Sequence, residues 1–162
     1  MKAPVASVHQ LLRAAGHTVA TAESLTGGRL AAELTGIAGA SDVYIGGVVT
    51  YATELKAALL GVSERIIAEH GVVSAECAQA MAAGVRALTG ATYGVATTGV
   101  AGPSSQEDKP PGTVFVGIAG PGMAAAVALE LRGKRAQIQD RTCQEALTAF
   151  EQVLRREETL LR

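Results

Sequence analysis

The chain has 162 residues, a net charge of −1, 48% hydrophobic residues and only 3% aromatic ones, with no Trp. That length suits one domain, expected to span 1–162, whose core is built from Ala, Val, Leu and Ile with Gly allowing close packing. The near-neutral charge supplies no broad basic face, so direct nucleic-acid binding through phosphate neutralisation is not expected.

The N-terminal stretch MKAPVASVHQLLRAAG places Val5, Val8, Leu11 and Leu12 at helical spacing, and Gly16 stops the helix. It carries His9, Gln10 and Arg13 within its apolar pattern, so it reads as neither a signal peptide nor a membrane span. An apolar run from Thr18 to Ala22 predicts a first, buried strand. A helix from Gly28 to Leu34 follows, closed by Gly36. Ser41 to Tyr51, SDVYIGGVVTY, is β-rich with a break at Gly46-Gly47, which predicts a strand with a kink or bulge. Thr53 to Leu60 predicts a short helix with a Thr cap and Gly61 at its end, and Ser63-Glu64-Arg65 opens another that reaches His70. Ser74-Ala75-Glu76-Cys77 has the form of an N-cap and an acidic first turn, leading an Ala-rich helix to about Leu88. Tyr93 to Thr98 predicts a strand, and Gly99 to Pro111 a loop rich in Gly, Pro and Ser. Thr113–Ala119 and Ala124–Leu131 flank Gly120-Pro121-Gly122 as an antiparallel hairpin. A long helix runs from Lys134 to about Leu160. Cys77 and Cys143 lie far apart with no CxxC and no metal spacing, which predicts reduced thiols in a cytoplasmic protein without a metal or other cofactor. Five strands among helices imply an α/β fold with a mixed five-stranded sheet covered on both faces. The Ala-rich helix from Ser74 and the last helix could each pack against a partner or equally cover their own sheet; a homo-oligomer is expected.

Three predicted strands end in small-residue loops that carry polar groups. In TVATAESLTGGRL, Thr18 to Leu30, Ser24 stands where a strand hands over to a helix, the place where an open α/β sheet presents its ligand site. Gly27 and Gly28 allow close backbone approach, and the first helical turn offers free N–H groups. Ser24 is therefore a candidate nucleophile, while Ser24 or Thr26 can equally serve as an ordinary helix cap. The second loop, Tyr51-Ala52-Thr53-Glu54-Leu55-Lys56, offers a base. A Ser hydroxyl needs one, no His is well placed, and Lys56 would serve once neutral. The plain alternatives are a solvated helix lysine and, for Tyr51, an amphipathic strand end. The third loop, TTGVAGP at Thr97 to Pro103, includes Thr98, Gly99 and Gly102 and could hold an anion or a carbonyl oxygen on its N–H groups; otherwise it is a flexible connection. It is no Walker loop, and GxGxxG and GxSxG are both missing. Gly133-Lys134-Arg135 and Arg141 open the last helix, where cations oppose the helix dipole. That mismatch favours a ligand such as a phosphate.

Five segments in order, AESLTGG (22–28), YATELK (51–56), TGVAGP (98–103), KPPGTVF (109–115) and GKRAQIQDRT (133–142), resemble the CinA C-terminal domain family and its nicotinamide-nucleotide amidases of PncC type. The resemblance covers nearly the whole chain and is expected to mark a stand-alone form, without the N-terminal domain of full-length CinA proteins. It implies a three-layer α/β/α sandwich. It implies hydrolysis of the carboxamide of nicotinamide mononucleotide, a small-molecule substrate, to nicotinate mononucleotide and ammonia. It further implies a Ser-Lys pair helped by a Tyr, which motif match places on Ser24, Lys56 and Tyr51. Thr26, Gly27, Gly28, Thr98, Gly99, Gly102, Arg135 and Arg141 are then the candidate substrate contacts. The loop GPSSQEDKPPG departs from the Gly-rich run of many relatives, and Pro111 stands where a small aliphatic is usual, which bears on loop closure and substrate preference. The competing expectation is a non-catalytic nucleotide-binding module, or an interaction module tied to competence and DNA damage.

Overall fold

The computed structural model describes residues 4–162. Its elements run α1 (Val5–Ala15), β1 (Val19–Glu23), α2 (Arg29–Thr35), β2 (Tyr44–Val49), α3 (Thr53–Leu60), α4 (Glu64–His70), α5 (Ala75–Thr89), β3 (Tyr93–Gly99), β4 (Thr113–Gly120), β5 (Met123–Glu130) and α6 (Arg135–Leu160). The sheet order is β2-β1-β3-β4-β5. The first three strands are mutually parallel, β4 runs antiparallel to β3, and β5 is antiparallel to β4.

β1 is buried at all five positions because neighbours cover both its edges and helices cover both its faces. Its alternate residues serve two cores. Val19 joins Val8, Leu12, Leu30, Leu34, Leu147 and Phe150 under α1, α2 and α6. Ala20 and Ala22 join Cys77, Met81, Ala82 and Val85 under α5. α5 can sit this close because the sheet offers glycine beneath it. A Cβ on Gly94 would run into the Ala82 carbonyl oxygen, and one on Gly117 into that of Ala78. Each fully buried Val, Leu, Met or Phe side chain in these cores stabilises the fold by roughly 1.5–3 kcal/mol, and each Ala by less.

The structure corrects three local expectations. The strand expected from Ser41 begins only at Tyr44, after a 3-10 turn at Ala40–Asp42, and its irregularity falls at Ile45, opposite the Val19/Ala20 step. Gly47 is required by packing: a Cβ there would strike the Thr21 side chain and the Tyr44 hydroxyl, which are hydrogen-bonded to each other at 2.8 Å. Thr53 is the first residue of α3 rather than its cap; Ala52 holds the cap position without a side-chain bond. The α2 cap is neither Ser24 nor Thr26. Gly28 holds that position, and the side chain that meets the helix start is Glu23.

α2 links β1 to β2 on one face, and α3 to α5 link β2 to β3 on the other. From the carboxyl end of β1 the chain leaves toward β2 and from that of β3 toward β4, on opposite sides in the sheet order, and the crevice between the two departures is where such sheets bind ligands.

Candidate active site

A cavity of about 340 Å³ opens at that crevice. Ser24 and Leu25 from the end of β1, Tyr51, Thr53 and Lys56 around the start of α3, and Thr98 and Gly99 from the end of β3 contribute to its wall. Val72 and Val73, the 101–106 stretch and Arg135 complete it.

Ser24 follows the last β1 residue, and its N–H donates to the Thr97 carbonyl at 3.0 Å, extending the β1–β3 ladder by one bond. Strand alternation then sends Glu23 and Ser24 to opposite faces. The Glu23 carboxylate accepts from the Thr26 hydroxyl at 2.6 Å and from the Gly28, Leu30 and Ala31 amides at 2.9–3.1 Å. One buried side chain thus closes the 24–28 turn and satisfies the amides at the start of α2.

On the other side, Lys56 is 1% exposed, not a solvated lysine. Its Nζ lies 3.0 Å from Ser24 Oγ, 2.6 Å from the Thr50 carbonyl oxygen and 3.3 Å from that of Tyr51. Carbonyls only accept, so a neutral amine gives its two hydrogens to Thr50 and Tyr51 and turns its lone pair toward the Ser24 hydroxyl. Burial lowers the Lys56 pKa from the ordinary lysine value. A Cys77 thiolate and the Glu107 and Glu54 carboxylates oppose that effect. At neutral pH the thiol is uncharged, since burial pushes its own value up to about 11, and only the carboxylates remain.

The sequence-derived candidates divide into two groups. Ser24, Lys56, Tyr51, Thr98, Gly99, Gly102 and Arg135 meet at the cavity. Tyr51 stands at its mouth, 60% exposed, and its hydroxyl accepts from Arg135 Nη2 at 3.0 Å instead of facing the Ser-Lys pair. Arg135 Nη1 donates to the Gly102 carbonyl at 2.5 Å, so one guanidinium ties the α3 and β3–β4 loops together over the opening. The Thr98 hydroxyl donates to the Val72 carbonyl at 2.7 Å. Thr26, Gly27, Gly28 and Arg141 are not among the residues that line the cavity. Thr26 is fully buried between Glu23 and the Thr97 hydroxyl, the Gly28 amide is bound to Glu23, and Arg141 is exposed on α6. Pro111 packs against Gly102, where a Cβ would come within 2.8 Å of the proline ring.

Sequence reading passed over Glu23, although a carboxylate just before a Gly-Gly helix start is a legible capping signal. It also missed Val72 and Val73, which carry no chemical signal and reach the site only through the fold.

The CinA C-terminal domain model matches residues 2–154. The chain belongs to the CinA C-terminal domain family. Solved members share its architecture. A CinA superfamily protein from Klebsiella pneumoniae superposes with a TM-score of 0.91 at 34% identity, over 94% of this chain and 96% of that one. The competence/damage inducible protein CihA from Agrobacterium tumefaciens gives 0.86 at 31% identity, over 96% and 98%. A CinA-like protein from Frankia casuarinae is 52% identical over 137 residues, which is 85% of this chain and 32% of the relative. This CinA-family chain therefore spans about a third of the length of the curated relatives it matches. Among the described residues, no helix is long and apolar enough to cross a membrane.

Proposed function

We propose that this chain hydrolyses the carboxamide of nicotinamide mononucleotide, giving nicotinate mononucleotide and ammonia through an acyl-enzyme on Ser24. The observation that carries the reading is the buried Lys56 amine 3.0 Å from Ser24 Oγ, with two carbonyls and no carboxylate as its other partners. Neutral Lys56 takes the Ser24 proton as Oγ bonds to the carboxamide carbon. Backbone N–H groups beside Ser24 or in the 98–102 turn hold the oxyanion, each worth about 3–4 kcal/mol in the transition state. The C–N bond breaks, and ammonia leaves with the proton held by Lys56. Water then gives a proton to Lys56 as its oxygen attacks the acyl carbon; Ser24 leaves and regains its proton. The nucleotide phosphate is met at the mouth by Arg135, which exchanges its bonds to Tyr51 and Gly102 for the anion. Tyr51 assists proton transfer only after leaving Arg135, so phosphate binding and release of the tyrosine are one event.

A second reading, a nucleotide-binding module without turnover, draws on relatives such as the putative competence-damage inducible protein of Halalkalibacterium halodurans, 45% identical over 82% of this chain.

Ammonia release from nicotinamide mononucleotide separates the two. Turnover by the wild type, falling at least a thousandfold in both Ser24→Ala and Lys56→Ala while circular dichroism stays unchanged, is the expected result. Wild-type turnover retained in Ser24→Ala removes the nucleophile from the mechanism. Nucleotide binding without any ammonia favours the module.

A further inference from the structure

The loop that departs from the Gly-rich pattern, residues 104–111, folds into a tight hairpin of its own. Gln106 and Lys109 exchange both backbone bonds, at 3.1 and 2.9 Å. Between them Glu107 and Asp108 sit at φ 52° and 58°. That is the left-handed pair of a type I′ turn, a conformation usually given to Asn-Gly. Asp108 suits that region but Glu107 does not, and the Glu107 side chain is tied down elsewhere.

Side-chain contacts run from this hairpin to the α4–α5 connection. Glu107 Oε2 accepts from the Val72 amide at 2.9 Å, and Oε1 from the Val73 amide at 2.8 Å. The Lys109 ammonium donates to the Val73 carbonyl and lies 3.9 Å from Glu107 Oε1. Gly71 makes room: a Cβ there would stand 2.5–2.7 Å from the Glu107 carboxylate. Val72 and Val73 line the cavity, as does Gln106, and the Val72 carbonyl also receives the Thr98 hydroxyl. One carboxylate therefore clasps the 104–111 hairpin to an inner wall of the candidate active site.

We propose that Glu107 is a positioning residue for this site: its two-pronged hold on the Val72 and Val73 amides fixes the cavity wall and the loop over it, and so sets how a substrate is presented to Ser24. The last clause rests on the amidase reading; the hold itself does not. A glutamine at 107 keeps the shape but offers one acceptor where two amides point, and its NH₂ faces the other amide. An aspartate keeps the charge on a shorter arm.

The test uses the full chain with Glu107→Gln, Glu107→Ala and Glu107→Asp. Hydrogen exchange at the Val72 and Val73 amides is expected to speed at least tenfold in the Gln and Ala variants, with β1 and β3 amides unchanged. KM for nicotinamide mononucleotide is expected to rise about tenfold in both, with kcat within threefold of wild type and Asp recovering part of the loss. Unchanged exchange at 72 and 73 overturns the hold. Faster exchange with unchanged KM and kcat overturns the positioning role. If the wild type releases no ammonia, the amidase reading fails separately. The rate at which a fluorophosphonate labels Ser24 then replaces KM: an altered rate in Gln and Ala, partly recovered by Asp, supports the role, and equal rates overturn it.

Discussion

On the two sides of the carboxyl end of β1 the fold buries an acid and a base, Glu23 toward α2 and Lys56 toward α3. Both are 1% exposed. Glu23 is surrounded by donors: three helix-start amides and a threonine hydroxyl, all within 3.1 Å. Both carboxylate oxygens accept hydrogen bonds, with the α2 dipole aligned in the carboxylate's favour. Lys56 has two carbonyls and a serine hydroxyl, and no anion among its bonded partners. The first arrangement makes a buried charge structural. The second makes a buried amine easy to deprotonate, which a general base requires.

The comparison predicts opposite responses to deletion. Glu23→Ala leaves three helix-start amides without their acceptor, while the Thr26 hydroxyl keeps Thr97, and is expected to lower stability by about 3–5 kcal/mol in denaturant unfolding. A loss below about 1 kcal/mol would show that water reaches the turn and that the carboxylate is dispensable. Lys56→Met removes a desolvated amine and keeps its volume, at the cost of two unmet carbonyls. It is expected to stay within about 1 kcal/mol of wild type while ammonia release is lost. A large destabilisation would make Lys56 a structural residue like Glu23.

The finest distinction is in pH. Because burial depresses the Lys56 pKa in the folded state, the unfolded chain binds the extra proton between that value and about 10.4, the ordinary lysine value. Stability contributed by this site therefore rises with pH across that window. The free-energy difference between wild type and Lys56→Met is expected to shift in favour of the wild type as pH increases from 6 to 9, and the same ionisation should appear as the rising limb of kcat/KM. Above about 9 the buried thiols act in the other direction. Cys77 and Cys143 are both raised, so the unfolded chain loses protons there first. A flat wild-type-minus-Met difference would mean that Lys56 titrates normally.

Much of this was legible beforehand, for reasons that differ from residue to residue. The buried run before Ser24, the Gly stops after helices and the Gly-Pro-Gly hairpin are local signals, and the structure has them where they were expected. Three parallel strands bring Ser24, Lys56 and Thr98 to one edge, as loop chemistry suggested. Thr26 and Gly28 show what local reasoning lacks. Their sequence neighbourhood to Ser24 looked like a shared site, but the alternation of β1 sends Glu23 to the opposite face, and Glu23 takes them with it. Glu107 is the converse case: 34 and 35 residues from the amides it holds, it carries no local signal at all.

The glycine seat under α5 has an optical consequence. A helix laid directly on the sheet leaves no room for a ring, and no aromatic residue is among the buried members of that core. With Trp absent from the chain, near-ultraviolet emission belongs to three tyrosines. Tyr93 is enclosed and Tyr44 half-covered, while Tyr51 stands in solvent at the cavity mouth. With no ring seated under α5, one of these three emitters stands at the opening, where a change in Tyr51 fluorescence would report whatever enters.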